Sequence, residues 1–252
     1  MLMKDKVSKS LLIAIAVIFA TYFVKDWVDL FHCGAVESCL QDAHIYQNYT
    51  KFLSSFLLTV LAFYASRYAC CPRDGKWLKI AFTFSALADV CFRLLGMFVQ
   101  DFPIAPSILG ITCFMFFQSA LTYRHTRTSD TDTHFPKILI VPVVVLAVLA
   151  IAYFVGLVPQ ILFVIGGYAA FLICSVIAAC KASAVGYFSQ HKAKIMKIGM
   201  IVFFIGDALV GLALATSDDH TVMELISAIA DGLVWPVYVP AQILLIKSCC
   251  EE

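Results

Sequence analysis

Residues 84–93 read FSALADVCFR, which sets an acid, Asp89, and a base, Arg93, four residues apart inside an otherwise almost wholly apolar run. Outward from this stretch the apolar character extends from residue 77 to residue 98. That matches the ~17–25 residues a helix needs to cross ~30 Å of hydrocarbon. Composition decides between a lipid-crossing helix and a core helix. The chain is 62% hydrophobic and 14% charged, with a mean hydropathy of +0.90, whereas ordinary globular domains are ~45–50% apolar. The chain therefore reads as an all-α, polytopic membrane protein, and its charged residues need a polar interior to face.

Charges punctuate the apolar runs and leave about eight spans: 11–31, 52–69, 77–98, 105–123, 138–155, 157–180, 195–216 and 223–246. Runs this long suit helices rather than barrel strands. No connection is long enough for a soluble domain, so residues 1–252 read as one integral-membrane domain. Basic residues gather at alternate connections. Lys4, Lys6 and Lys9 precede span one; Arg67, Arg73, Lys76 and Lys79 lie between spans two and three; Arg124, Arg127 and Lys137 lie between four and five. Lys181, Lys192, Lys194 and Lys197 lie between six and seven, and Lys247 follows span eight. The positive-inside rule then predicts that both termini are cytoplasmic. The expected location is multi-pass in a membrane: the endoplasmic reticulum or another endomembrane in a eukaryote, the inner membrane in a bacterium.

The first span also has the look of a signal peptide, but no cleavage site followed by a polar stretch succeeds it. Cys33 and Cys39 fall in the predicted outer loop, where an oxidising compartment would let them pair. Cys70, Cys71, Cys180, Cys249 and Cys250 cluster at cytoplasmic helix ends, where lipidation occurs, although free thiols are the simpler reading. No histidine lies within a predicted span and no Cys-x-x-Cys occurs, so no metal site is expected. Asn48-Tyr49-Thr50 is a glycosylation sequon abutting span two, close to the membrane surface. A net charge of +1 argues against nucleic acid as a partner.

Spans three and seven enter from the same side, and Asp89 and Asp207 each lie 12 positions into their span. At ~1.5 Å per residue both sit ~18 Å deep. Asp231, eight positions into the oppositely directed span eight, returns to nearly the same layer. A charged residue at mid-bilayer costs ~2.5–3.5 kcal/mol, so three carboxyls at one depth point to a site. Arg93 can meet Asp89 on one helix face, Tyr238 and Gln242 repeat that spacing on span eight, and Gln118 adds an amide on span four. The structural alternative is that Asp89 and Arg93 neutralise each other while Gln118, Tyr238 and Gln242 tie helices together.

These residues also carry a resemblance. FSALAD at 84–89 resembles the phenylalanine-serine-x-x-glycine-aspartate signature of the YhhN-type lysoplasmalogenase family, with Ala88 at the glycine position. FFIGDAL at 203–209 resembles its second aspartate motif, with Gly206 where serine is commoner. YVPAQILL at 238–245 is similar to its closing tyrosine-x-x-alanine-glutamine segment, and Lys51 stands where the family has lysine-proline, Phe52 replacing the proline. The segment from Gly110 through Phe114 to Gln118 resembles the fourth-helix motif, with Gln118 where a histidine is usual. The resemblance covers roughly 50–246. It implies eight helices and a hydrolase that cleaves the vinyl ether of a lysoplasmalogen (an alkenyl-glycerophosphocholine or -ethanolamine) to a fatty aldehyde and a glycerophospho-base, with Asp89 and Asp207 catalytic and a lysophospholipid as substrate.

The chemistry suits such residues. A vinyl ether resists base and yields to acid, because protonating its outer alkene carbon gives an oxocarbenium ion that water captures. One carboxyl must supply a proton and another must stay an anion, the division of labour found in glycosidases. The four-residue spacing to Arg93 nominates Asp89 as the anion and leaves Asp207 as the acid. Lys51 and Tyr238 are placed to bind phosphate or orient water, with Arg93, Gln118, Asp231 and Gln242 around the substrate. Lys51, near the outer end of span two, could instead snorkel there. No cofactor is required. A proton-coupled carrier would also place acids near the midplane, and a non-catalytic lipid-binding protein is a third reading.

Overall fold

A computed structural model describes residues 5–33, 37–95, 98, 104–129, 131–132, 134–215 and 221–250. They form eight α-helices: α1 (Lys6–Cys33), α2 (Glu37–Ala65), α3 (Pro72–Asp89), α4 (Pro106–His125), α5 (Ile140–Phe154), α6 (Gln160–Val185), α7 (Gln190–Ala215) and α8 (Thr221–Lys247). No strand occurs among the described residues. Local chemistry sets the ends. Pro72 and Pro106 open α3 and α4, where their missing N–H costs nothing, and the Cys71 thiol caps α3 by accepting from the Asp74 N–H. Gly186 closes α6 at φ +78°, a left-handed conformation that favours glycine. The α5–α6 hairpin turns through Gly156 at φ +81°.

Five helical stretches are long and apolar enough to cross a membrane: Lys6–His32, Lys137–Phe154, Gln160–Val185, Gln190–Ala213 and Leu225–Lys247. The periphery shows why lipid is the matching solvent. Along α5 only Pro142 is buried, while Val141, Val143, Val144, Val148 and Ile151 face outward. So large an apolar surface is untenable in water. The other three helices, α2, α3 and α4, differ from the sequence expectation because they carry the polar side chains of the interior: Lys51, Ser54 and Ser55; Asp74, Ser85 and Asp89; Gln118 and Thr122. Their apolarity is diluted on the buried face. α3 is also interrupted, since a π turn, Val90–Leu95, follows Asp89 directly.

The core runs along the bundle as a band of rings: Phe82, Phe117, Phe203, Trp235 and Tyr238, with Phe114 packed against them. At the end carrying the basic residues, several connections are fastened together. Arg124 donates Nε to Asp74 Oδ1 at 2.8 Å and Nη2 to Oδ2 at 3.2 Å, with both side chains fully buried. The same guanidinium donates to Ser248 Oγ at 2.9 Å. Ala69 bridges to Cys250, Cys71 Sγ meets the Tyr187 hydroxyl at 3.1 Å, and Tyr64 donates to Asp5 at 2.7 Å. The start of α1 and the end of α8 therefore lie at one end of the bundle. Cys71, Cys249 and Cys250 are buried there as free thiols, packed rather than presented. The expected Cys33–Cys39 pairing falls on side chains outside the described residues.

Candidate active site

α3 delivers Asp89 to the interior at its last α-helical residue, where the side chain is 4% exposed. Two hydroxyls hold its Oδ2: Ser55 of α2 donates at 2.5 Å and Tyr238 of α8 at 3.3 Å. Behind Tyr238 the chain of donors continues. Ser85 Oγ lies 3.0 Å from the Tyr238 hydroxyl, and Gln242 Nε2 donates to Ser85 Oγ at 3.0 Å. With Tyr238 donating to Asp89, Ser85 must donate to Tyr238, so the relay from Gln242 runs one way and ends on the carboxylate. Such an arrangement suits an anion.

Arg93 does not pair with Asp89, contrary to the sequence expectation. The four-residue spacing presupposes an unbroken α-helix, and the π turn after Asp89 changes the register. Arg93 Nη1 instead donates to Asn48 Oδ1 at 3.4 Å, its guanidinium carbon lies 5.6 Å from the Trp235 ring centre, and its Nε is buried without a partner. Asn48, the sequon residue, is thus occupied inside the bundle.

Asp207 on α7 accepts a hydrogen bond from the Tyr168 hydroxyl of α6. Phe114 packs near the phenol partners of both carboxyls: its ring centre is 6.3 Å from that of Tyr168 and 6.3 Å from that of Tyr238. Phe203, one turn before Asp207, packs on Tyr238 at 5.4 Å. The helices come close here, because a Cβ on Gly206 would lie 3.9 Å from the Tyr238 backbone nitrogen. Tyr238 thus lies within electrostatic reach of both carboxyls. Gln118 is fully buried beside Tyr168.

Asp231 departs from the expected common layer. Its side chain is 59% exposed, and it lies 3.9 Å from Lys51 rather than beside Asp89 or Asp207. Equal counts from the membrane face did not survive because the helices are not equally long or straight, and α8 carries Pro236 and Pro240. Lys51 does not snorkel. It is 2% exposed and pairs with Asp26 of α1 at 2.9 Å, one α2 turn away from Ser55.

Sequence reasoning missed Ser55, Ser85, Tyr168 and Asp26. Ser55 looks like a small packing residue, Ser85 enters only as the serine of the FSALAD motif, and Asp26 lies in a span that the resemblance did not reach. Tyr168 alone left a signal, as the one phenol in the otherwise apolar stretch LFVIGGYAAFLI. Comparison with known proteins adds one result: the family model described as the YhhN family matches residues 46–249. No curated protein and no solved structure matches the chain.

Proposed function

Because the chain belongs to the YhhN family, we propose that it is an integral-membrane hydrolase that cleaves the vinyl-ether bond of lysoplasmalogens. The observation that carries the reading is the pair of interior carboxyls, Asp89 and Asp207, each held by hydroxyl donors, with Phe114 packed near the phenol partner of each. In this reading all eight helices cross the membrane, both termini are cytoplasmic, and the single-tailed substrate enters sideways from lipid.

Asp207, held by one phenol, gives its proton to the outer alkene carbon. The resulting oxocarbenium ion is stabilised by the Asp89 carboxylate, on which the Gln242–Ser85–Tyr238 relay converges, and by ring faces of the Phe114 cluster. Asp89 then takes a proton from the attacking water. The hemiacetal collapses to aldehyde and glycerophospho-base as Asp207, now a carboxylate, takes its hydroxyl proton and Asp89 gives a proton to the departing oxygen, which restores both groups. Asp207 thus switches from acid to base, as one carboxyl does in retaining glycosidases. The test is to incubate detergent-purified protein with a lysoplasmalogen and with its saturated ether analogue. Aldehyde from the first alone supports the reading, and aldehyde from neither overturns it.

One observation favours a second reading. The helix carrying Asp89 breaks into a π turn at that residue, and carriers interrupt helices at mid-membrane sites. Substrate-driven flux into proteoliposomes without aldehyde release would select the carrier.

A further inference from the structure

The family match begins at residue 46, so α1 lies outside it, yet α1 helps to line a cleft that carries two carboxylates. A cleft of about 130 Å³ opens between α1, α2 and α8, lined by Asp26, Trp27, Gln47 and Asp231 among others. Lys51 ties two of its walls together, bonded to Asp26 at 2.9 Å and lying 3.9 Å from Asp231.

Buried polar atoms without partners collect around it. Asp26 Oδ1 and Trp27 Nε1, both in its lining, lack a hydrogen bond, as does Arg93 Nε. Leaving such atoms unpaired costs about 1–3 kcal/mol each, so a concentration of them marks a volume that something polar fills. The set contains both kinds of group. Trp27 Nε1 and Arg93 Nε are donors, suited to an anionic oxygen. Asp26 Oδ1 is an acceptor, and the Asp231 carboxylate is exposed at the mouth.

We propose that α1 supplies the headgroup subsite: the Asp26–Trp27 pair, with Asp231, receives a positively charged amine, while the donors beneath it face the phosphate. This inference rests on the hydrolase reading for the identity of the lipid. Charge supports it. Lys51 already faces two carboxylates, so no uncompensated cation is left in the Asp26–Lys51–Asp231 trio, whereas one negative charge is in excess. The Trp27 ring completes the recognition, since a quaternary or primary ammonium is drawn to an aromatic face. Asp26 and Trp27 would thus be specificity-determining residues contributed by the helix outside the family match.

The test uses two saturated-ether lysolipids that cannot be hydrolysed as vinyl ethers, one with a phosphocholine headgroup and one with a phosphoglycerol headgroup, and measures their binding to the full chain in nanodiscs. Asp231→Asn, at an exposed position, should weaken phosphocholine lipid binding about tenfold and leave phosphoglycerol lipid binding unchanged. On the alkenyl substrate the same variant should raise KM rather than lower kcat. Asp26→Asn would strand Lys51, so it is paired with Lys51→Gln to preserve folding; the double variant should lose the preference for the cationic headgroup. Equal losses for both lipids, or none, would overturn the inference. The two claims separate cleanly. Headgroup-selective binding without aldehyde release removes the hydrolase and keeps the subsite, and aldehyde release indifferent to Asp231 does the reverse.

Discussion

Tyr168 gives Asp207 its hydroxyl donor, and phenylalanine removes that oxygen while keeping the ring that Phe114 touches. Tyr168→Phe should therefore lower kcat by about 10²-fold, the loss of one aimed donor, with KM little changed and the protein still monodisperse in detergent. Asp89→Asn and Asp207→Asn keep size but remove the charge or the proton, and each should lose at least nine-tenths of turnover in an aldehyde assay. Activity above that level in either variant contradicts a two-carboxyl mechanism. Arg93 makes a different prediction because its guanidinium goes to Asn48 and Trp235. A double-mutant cycle with Arg93→Gln and Asp89→Asn should show a coupling below about 1 kcal/mol, far less than the ~3–5 kcal/mol of stability lost on breaking a buried ion pair. The identities and burial of the two acids were legible in the sequence, since only a polar interior tolerates them. Their partners were not. Ser55 and Tyr168 reach the carboxyls across helix boundaries, and Tyr238, legible as a site residue, could not be assigned to Asp89, because nothing along one strand of text encodes which helix faces which.

Among the connecting elements, the turn between α4 and α5 is organised by one side chain. Asp132 accepts from the Thr128 N–H, the Thr128 hydroxyl at 2.6 Å, the His134 N–H and His134 Nδ1. The Thr128 hydroxyl, then the backbone amides and the His134 ring, hold its carboxyl well below the usual carboxylate range. A depressed carboxyl contributes order that is fully present above its unfolded value of about 3.9 and is lost as pH falls toward the folded one. Amide exchange in residues 126–136 should thus stay slow from neutral pH down to about pH 4 and quicken in stronger acid, while Asp132→Asn should quicken it already at pH 7. The sequence announced this element only as a basic connection. The helices were easier to read because a span of apolar residues admits one backbone solution in lipid. The π turn after Asp89 was invisible, as VCFRLL contains neither glycine nor proline to mark a change of pitch.

For the molecule as a whole, the buried Asp74–Arg124 pair joins α3 to α4, and its bond to Ser248 adds the end of α8. Asp74→Asn leaves a buried guanidinium short of its counter-charge and should destabilise the protein by about 3–5 kcal/mol, read as a fall in Tm in detergent. Replacing both partners with apolar residues, Asp74→Leu with Arg124→Met, should recover most of that loss. A double variant no better than the single one would show that the fastening works through Ser248 instead. That same fastening has a consequence for biosynthesis. Asp74 and Arg124 are synthesised well before Ser248 and Cys250. The knot at this end can be tied only after Ser248 and Cys250 emerge to meet Arg124 and Ala69. Until that moment the nascent chain carries an unfinished polar joint.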